Sequence, residues 1–236
     1  NRDYAISDAD LTMFVSNLVQ TMTRDIVEFG DYGVTAANVT ALQSLGNQFE
    51  LFPPDTFYLA DVGIATADKD LKRTELLQAT RKITNRALAK WGVNSAQYNK
   101  FGVKGLSDMT DREILATARL VVMTATDFLT QLASEGLTQD IIDDYALIVQ
   151  QFESKMNDMN TAIADRDIKT RERIAMGNQL YALVSKYCTY GKTIWENVNE
   201  AKYNDYVIYT GVGPGSLTAP QNFMFDPLNY DFRWSA

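Results

Sequence analysis

A chain that writes one ordered set of residues twice is constrained to build one local fold twice. Here Ser7-Asp8-Ala9-Asp10-Leu11 returns 103 positions later as Thr110-Asp111-Arg112-Glu113-Ile114. At the same spacing Gly33-Val34-Thr35 returns as Gly136-Leu137-Thr138, and Gln48-Phe49 as Gln151-Phe152. Ala67-Asp68-Lys69-Asp70-Leu71-Lys72 then returns as Ala164-Asp165-Arg166-Asp167-Ile168-Lys169, with Glu75 and Glu172 closing both copies, at an offset of 97. The shorter offset gives the first copy about six extra residues, which fall where Pro53-Pro54-Asp55 sits.

The elements inside each copy read as helices. Leu11, Phe14, Val15, Leu18, Val19, Met22, Ile26 and Phe29 recur at three- and four-residue spacing, so one helix is expected from Asp8 to Phe29. Ser7 with Asp10, and Thr110 with Glu113, have the form of capping boxes. Gly30 to Gly33 end the first helix, and a second is expected over 36–52, where Pro53-Pro54 stops it. A third is expected over 68–91, with Leu71, Leu77, Ile83, Ala87 and Leu88 as core candidates. The second copy predicts helices over 111–134, 139–161 and 165–188, then one through Ile194, Trp195 and Val198. The fold class is therefore all-α: duplicated three-helix units forming a six-to-eight-helix bundle with pseudo-twofold symmetry. The divisions are 1–105, 106–209, and a linker with a short β hairpin-like extension over 210–236.

Composition narrows the function. A net charge of −8 and a pI near 4.6 set the chain against nucleic acid and anionic membranes. The most apolar stretch, Ile114 to Leu132, is interrupted by Arg119 and Asp127 and reads as a buried helix rather than a membrane span. The sequence contains no histidine, which removes Ser-His and Cys-His catalysis, imidazole zinc sites and the Glu-x-x-His di-iron sites of helical bundles. Cys188 stands alone in an apolar helical stretch and reads as an inert buried thiol. Asp68, Asp70, Asp165 and Asp167, with Glu75 and Glu172, are the candidate cation ligands. They lack the glycine and alternating oxygen donors of a calcium loop, and read instead as helix-start charges paired with Lys72 and Lys169. Glu28, Glu75, Glu172 and Glu196 show no spacing that makes a general acid/base pair. No catalytic residue, metal or cofactor is expected.

After Lys202 the sequence changes character. Gly211-Val212-Gly213-Pro214-Gly215 is a breaker, and beyond it Phe223 and Phe225, then Tyr230, Phe232 and Trp234, alternate across a turn holding Asp226-Pro227 and Asn229. Ala219-Pro220-Gln221-Asn222-Phe223 and Tyr230-Asp231-Phe232-Arg233-Trp234-Ser235 resemble the opening A and B strands of a fibronectin type III-like domain. The resemblance makes Trp234 the tryptophan that enters the sandwich core. The helical part is similar in style to uncharacterised duplicated helical modules of secreted multidomain proteins of the Bacteroidetes. A start at Asn1 rather than Met fits a processed secreted protein and a trimmed chain equally, and the two resemblances imply an extracellular or cell-surface bacterial protein.

The expected function is a non-catalytic structural or protein-interaction module. Two strands alone are unstable in water, so they are completed by the rest of a domain, by packing on the bundle, or by a partner, another protein or a second copy, which would meet the tail aromatics Phe223, Phe225, Tyr230, Phe232 and Trp234. The alternative is a helical protein that binds a small molecule or saccharide between the two repeats, walled by Trp91, Tyr98, Tyr187 and Trp195.

Overall fold

Two residues that do not by themselves forbid a helix set the first feature of the architecture. In the computed structural model, which describes residues 1–208 and the backbone of 224–226 and 231–233, helix α1 (Asp8–Arg24) stops at Asp25. A short helix α2 (Ile26–Gly30) follows, so the single helix expected to Phe29 is two. The same break recurs 103 positions on, where α6 (Asp111–Asp127) stops at Phe128 before α7 (Leu129–Leu132). Asp25 (φ −102°, ψ 23°) and Phe128 (φ −99°, ψ 9°) have nearly the same backbone. Each break ends in a left-handed glycine, Gly33 at φ 71° and Gly136 at φ 75°. The next amide, of Val34 or Leu137, donates back to the carbonyl of Phe29 or Leu132 at 3.2 and 3.1 Å. That turn fits glycine, which carries no Cβ penalty at positive φ, and it buries Val34 and Leu137.

The helix starts follow their local chemistry. The Asp10 amide donates to Ser7 Oγ at 3.0 Å, and at Thr110 both halves of the capping box form, with the Thr110 amide donating to Glu113 Oε2 at 2.7 Å. Helix α3 (Ala36–Leu51) ends before Pro53-Pro54, as expected. Helix α4 then begins at once and runs Asp55–Trp91, thirteen residues earlier than Asp68, because nothing after Pro54 interrupts it. The short helix α5 (Ala96–Asn99) and a 3-10 turn at Leu106–Asp108 lead to α6, and a second 3-10 turn, Ala133–Glu135, follows α7. The expected separate helices 139–161 and 165–188 are one helix, α8, running Gln139–Trp195 over 57 residues. Asn160-Thr161-Ala162-Ile163-Ala164 holds no proline or glycine, so a helix entering it has no reason to stop. After Asn197, at φ 59°, comes α9 (Glu200–Asn204). Met224–Asp226 and Asp231–Arg233 pair antiparallel, with Phe225 opposite Phe232.

The chain forms two compact units, and they are composed differently from the sequence halves. One comprises Asn1–Phe52 with Glu172–Ala236, the other Pro53–Arg171. In the first, Leu11, Leu18 and Met22 of α1 pack with Leu42 and Phe49 of α3 and with Leu180 and Val184 of α8. In the second, Leu76, Ile83 and Ala87 of α4 pack with Ile114 and Val121 of α6 and Tyr145 and Phe152 of α8. Tyr145 reaches across that core to Thr80, hydroxyl to hydroxyl at 2.8 Å.

The long helices bury equivalent positions at an offset of 104. Leu76, Thr80, Ile83, Thr84 and Ala87 are buried in α4, as are Leu180, Val184, Tyr187, Cys188 and Gly191 in α8. Trp91 and Trp195 end the two series. The repeated Asp-x-Asp match at 97 is therefore seven residues, two helical turns, out of step with the buried positions. Leu71, read as core, falls on the opposite face and is exposed.

In the second unit, α4 and α8 also run side by side as an antiparallel pair. Asp55 accepts from Arg166 Nε and Nη2 at 2.9 and 2.8 Å and from the Thr170 hydroxyl at 2.8 Å. Lys155 bridges to Asp68 at 3.2 Å, and Lys72 donates to Gln151 at 2.9 Å. Between 53 and 75 on α4, and between 153 and 171 on α8, no residue is buried.

Candidate functional site

The break at Asp25 turns a carboxylate into the first unit's core, where it meets residues far along the chain. Asp25 is fully buried and accepts five hydrogen bonds. Arg24 Nε and Nη2 donate at 2.8 and 2.7 Å, Lys202 Nζ at 2.9 Å, Tyr206 OH at 2.9 Å and Trp195 Nε1 at 3.1 Å. Lys202 Nζ also lies 3.8 Å from the centre of the Trp195 ring. Burial pushes the Asp25 carboxyl up, but hydrogen bonds from Arg24, Lys202 and Tyr206 outweigh it and hold the group well below the usual carboxylate range. Burial, then the Asp25 contact, raises the Tyr206 phenol. The result is a charged, saturated latch that fixes the end of α8 and all of α9 to the α1–α2 break.

Phe128 occupies the corresponding break in the second unit, and the chemistry there is apolar. Trp91 packs edge-on against it with ring centres 4.9 Å apart, Phe101 lies at 6.2 Å, and Lys100 Nζ sits 5.1 Å above the ring. One backbone feature thus carries a carboxylate network in one unit and an aromatic cluster in the other.

These contacts locate the residues read as pocket walls. Tyr187 and Trp195 belong to the core of the first unit, and Trp195 has its indole nitrogen engaged with Asp25. Trp91 and Tyr98 pack against the core of the second. Tyr98 also borders a shallow hollow of about 390 Å³ with Arg81, Asn85 and Val103. Another, of about 450 Å³, lies at the α8–α9 turn beside Trp195, Asn197, Asn199 and Tyr203. Both are open to solvent. The side chains of Phe223, Phe225, Tyr230, Phe232 and Trp234 lie outside the described residues.

The remaining charge clusters hold helices together. Asp8 accepts from Arg173 Nε at 2.9 Å and bridges to Arg2, while Arg173 also donates to the carbonyl oxygens of Phe49 and Phe52. Asp111 bridges Lys69 at 2.6 Å and Arg73 at 3.1 Å. Of the candidate cation ligands, Asp68 bridges Lys155, Asp70 bridges Lys69 and Glu75 bridges Lys72. Among the described residues no group of three acidic or cysteine side chains is placed to hold a metal ion. Among them, too, no helix is long and apolar enough to cross a membrane. Cys188 is buried, and burial pushes its thiol up to about 12.

Among the residues α4 exposes is a row of large apolar side chains. Phe57, Ile64 and Leu71 are 58%, 64% and 69% exposed. A seven-residue spacing in the sequence aligns them, although the expected core position of Leu71 hides it.

No protein-family model matches the chain, and neither a curated protein nor a solved structure is significantly similar to it.

Proposed function

We propose that this chain is a non-catalytic structural or protein-interaction module, built from a duplicated helical unit, of a secreted or surface-associated bacterial protein. The observation that carries this reading is how the side chains are used. Asp8, Asp25, Asp55 and Asp111 are each engaged by arginine or lysine in holding helix to helix, while α4 turns a row of large apolar side chains to solvent. Exposed apolar rows on a helix mark contact surfaces. Duplication is supported by the 17-residue helices α1 and α6, the breaks at Asp25 and Phe128, and the glycine turns at Gly33 and Gly136. The aromatic tail, with its resemblance to the start of a fibronectin type III-like domain, supplies a second contact through Phe223, Phe225, Tyr230, Phe232 and Trp234.

Light scattering over a range of concentrations, on the chain and on a form ending at Gly211, tests this. Mass above the 26.5 kDa of the chain, lost on removing the tail, is the expected result. A chain that stays at 26.5 kDa throughout, and whose melting temperature rises with added saccharide, overturns it. The alternative of a small-molecule or saccharide-binding helical protein would then rest on the hollow at the α8–α9 turn, where Trp195 and Tyr203 meet Asn197 and Asn199.

A further inference from the structure

The outward face of α4 has the form of one half of a coiled coil. Written in heptads from Phe57, the first position holds Phe57, Ile64 and Leu71, and the fourth holds Ala60, Ala67 and Thr74. All six are exposed. They lie opposite the half-buried Tyr58, Val62, Ala65, Lys69 and Lys72 that line the other face of the helix. The helix therefore has two seams, of which one meets no other described element. From Phe57 to Leu71 the open seam is about 21 Å long.

Two further observations say what fits it. The fifth heptad position, which flanks the seam, is acidic three times running, at Asp61, Asp68 and Glu75, and Asp70 stands on the other flank. The basic residues of the segment are anchored on its inner face, Lys69 and Arg73 at Asp111 and Lys72 at Gln151. Lys69 also bridges Asp70, Lys72 bridges Glu75 and Lys155 bridges Asp68, but these three carboxylates stay about half exposed, and Asp61 makes no ion pair among the described residues. In an antiparallel pair of two such seams the acidic flanks face each other, and in a parallel pair Asp70 faces Glu75 of the other copy. Both arrangements set like charges together, so a second copy is disfavoured. Gly63 is the second observation. It sits in the third turn of α4 without positive φ, and a Cβ there would meet nothing within 4 Å. It weakens the helix and serves no contact in this chain, whereas beside Ala60 and Ala67 it lets another backbone come close.

We infer that the face of α4 from Phe57 to Thr74 docks an amphipathic helix of another protein, one whose apolar seam is flanked by lysine or arginine. This rests on reading the chain as an interaction module and names the surface and the partner's chemistry. Leucine or similar side chains of the incoming helix fill the spaces over Ala60, Gly63 and Ala67. Its basic flanks meet Asp61, Asp68, Asp70 and Glu75.

The test uses two synthetic three-heptad peptides with leucine at the seam positions, one flanked throughout by lysine and the other by glutamate. Binding to the full chain is read by fluorescence anisotropy. The lysine peptide is expected to bind more tightly by about tenfold or more at about 50 mM salt, with the margin shrinking as salt rises. Ile64→Gln with Leu71→Gln, both at exposed positions, abolishes binding while the melting curve stays put. Asp61→Lys with Glu75→Lys reverses the preference toward the glutamate peptide. Equal binding of the two peptides, or binding indifferent to these substitutions, overturns the inference. So does concentration-dependent self-association abolished by Ile64→Gln, which makes the occupant a second copy. Binding seen only after removal of the residues beyond Gly211 overturns it too, because the occupant is then the chain's own tail. If neither peptide binds yet tail-dependent association persists in light scattering, this surface fails and the interaction reading stands.

Discussion

Replacing Asp25 by alanine removes one acceptor from five hydrogen bonds, and their energies differ. Arg24 and Lys202 have side chains 44% and 29% exposed, so both can turn to water and lose little. Trp195 Nε1 and Tyr206 OH cannot, since both bonds are buried. Each donor left unpaired costs about 1–3 kcal/mol, which makes Asp25→Ala destabilising by about 4 kcal/mol. Asp25→Asn keeps one oxygen for the two buried donors but turns an amide toward Arg24 or Lys202, and should cost about 2 kcal/mol. Tyr206→Phe removes one donor from an oversupplied acceptor and costs about 1 kcal/mol, and in that background Asp25→Ala costs 1–2 kcal/mol less, roughly one donor's worth.

The assay is urea unfolding followed by Trp195 fluorescence, in a chain carrying Trp91→Phe and Trp234→Phe. With a slope of about 2 kcal/mol/M, Asp25→Ala moves the midpoint of the first unit down by about 2 M. The pH dependence has a definite sign. The folded carboxyl titrates below its unfolded value, so the unfolded chain binds more protons in acid. The contribution is complete above the ordinary aspartate range near pH 4 and is lost progressively as pH falls below it. Wild type should therefore lose more stability than Asp25→Asn between about pH 5 and pH 3. A midpoint for Asp25→Ala within about 0.25 M of wild type, about 0.5 kcal/mol at this slope, or acid dependence identical in wild type and Asp25→Asn, refutes the latch.

Other positions give independent tests. A Cβ at Gly191 runs into the Tyr206 ring, so Gly191→Ala should cost about 2–3 kcal/mol, read in the same urea titration. Gly63→Ala meets open space and should stabilise α4 by about 0.5–1 kcal/mol in thermal melts, while weakening the lysine-flanked peptide. Cys188, buried with its thiol pushed up to about 12, should resist a thiol reagent at pH 8 in the native chain and react at once in urea. Thr110→Ala removes the hydroxyl that accepts from the Glu113 amide while leaving the backbone amide to donate to Glu113, and should cost about 1 kcal/mol, lowering the denaturation midpoint of the second unit.

The parts of the fold that were legible in the sequence are those set by neighbours in the chain. Thr110 and Glu113 announce a helix start, Gly33 and Gly136 a left-handed stop, and Pro53-Pro54 a break, because each acts through its own backbone. The stops at Asp25 and Phe128 were not legible, since neither residue forbids a helix. Asp25 turns inward toward Trp195 and Tyr206, and those lie 170 and 181 positions away. The continuity of α8 was hidden by the opposite problem. The break expected at 162–164 rests on reading Asp165 and Asp167 as helix-start charges, whereas Ala162-Ile163-Ala164 holds nothing that stops a helix. Leu71 was misplaced because α4 carries two apolar stripes, and periodicity alone does not say which one faces the core. The cluster at Asp25 left no local trace, while the row Phe57, Ile64, Leu71 did, as a spacing of seven.

The way α8 is shared carries a consequence for synthesis. The second unit is one unbroken stretch, Pro53–Arg171, and all of it can leave the ribosome while the first unit is still half made. Helices α1 and α3 must then wait, with Leu11, Leu18, Met22 and Phe49 uncovered, until Leu180 and Val184 arrive more than a hundred residues later. At ordinary elongation rates that interval is about 10–30 s. During it the nascent chain presents an apolar two-helix surface next to a finished domain, a natural substrate for chaperones. The latch at Asp25 closes only when Tyr206 has been made, so the residue that completes the first unit is among the last of the described chain to be translated.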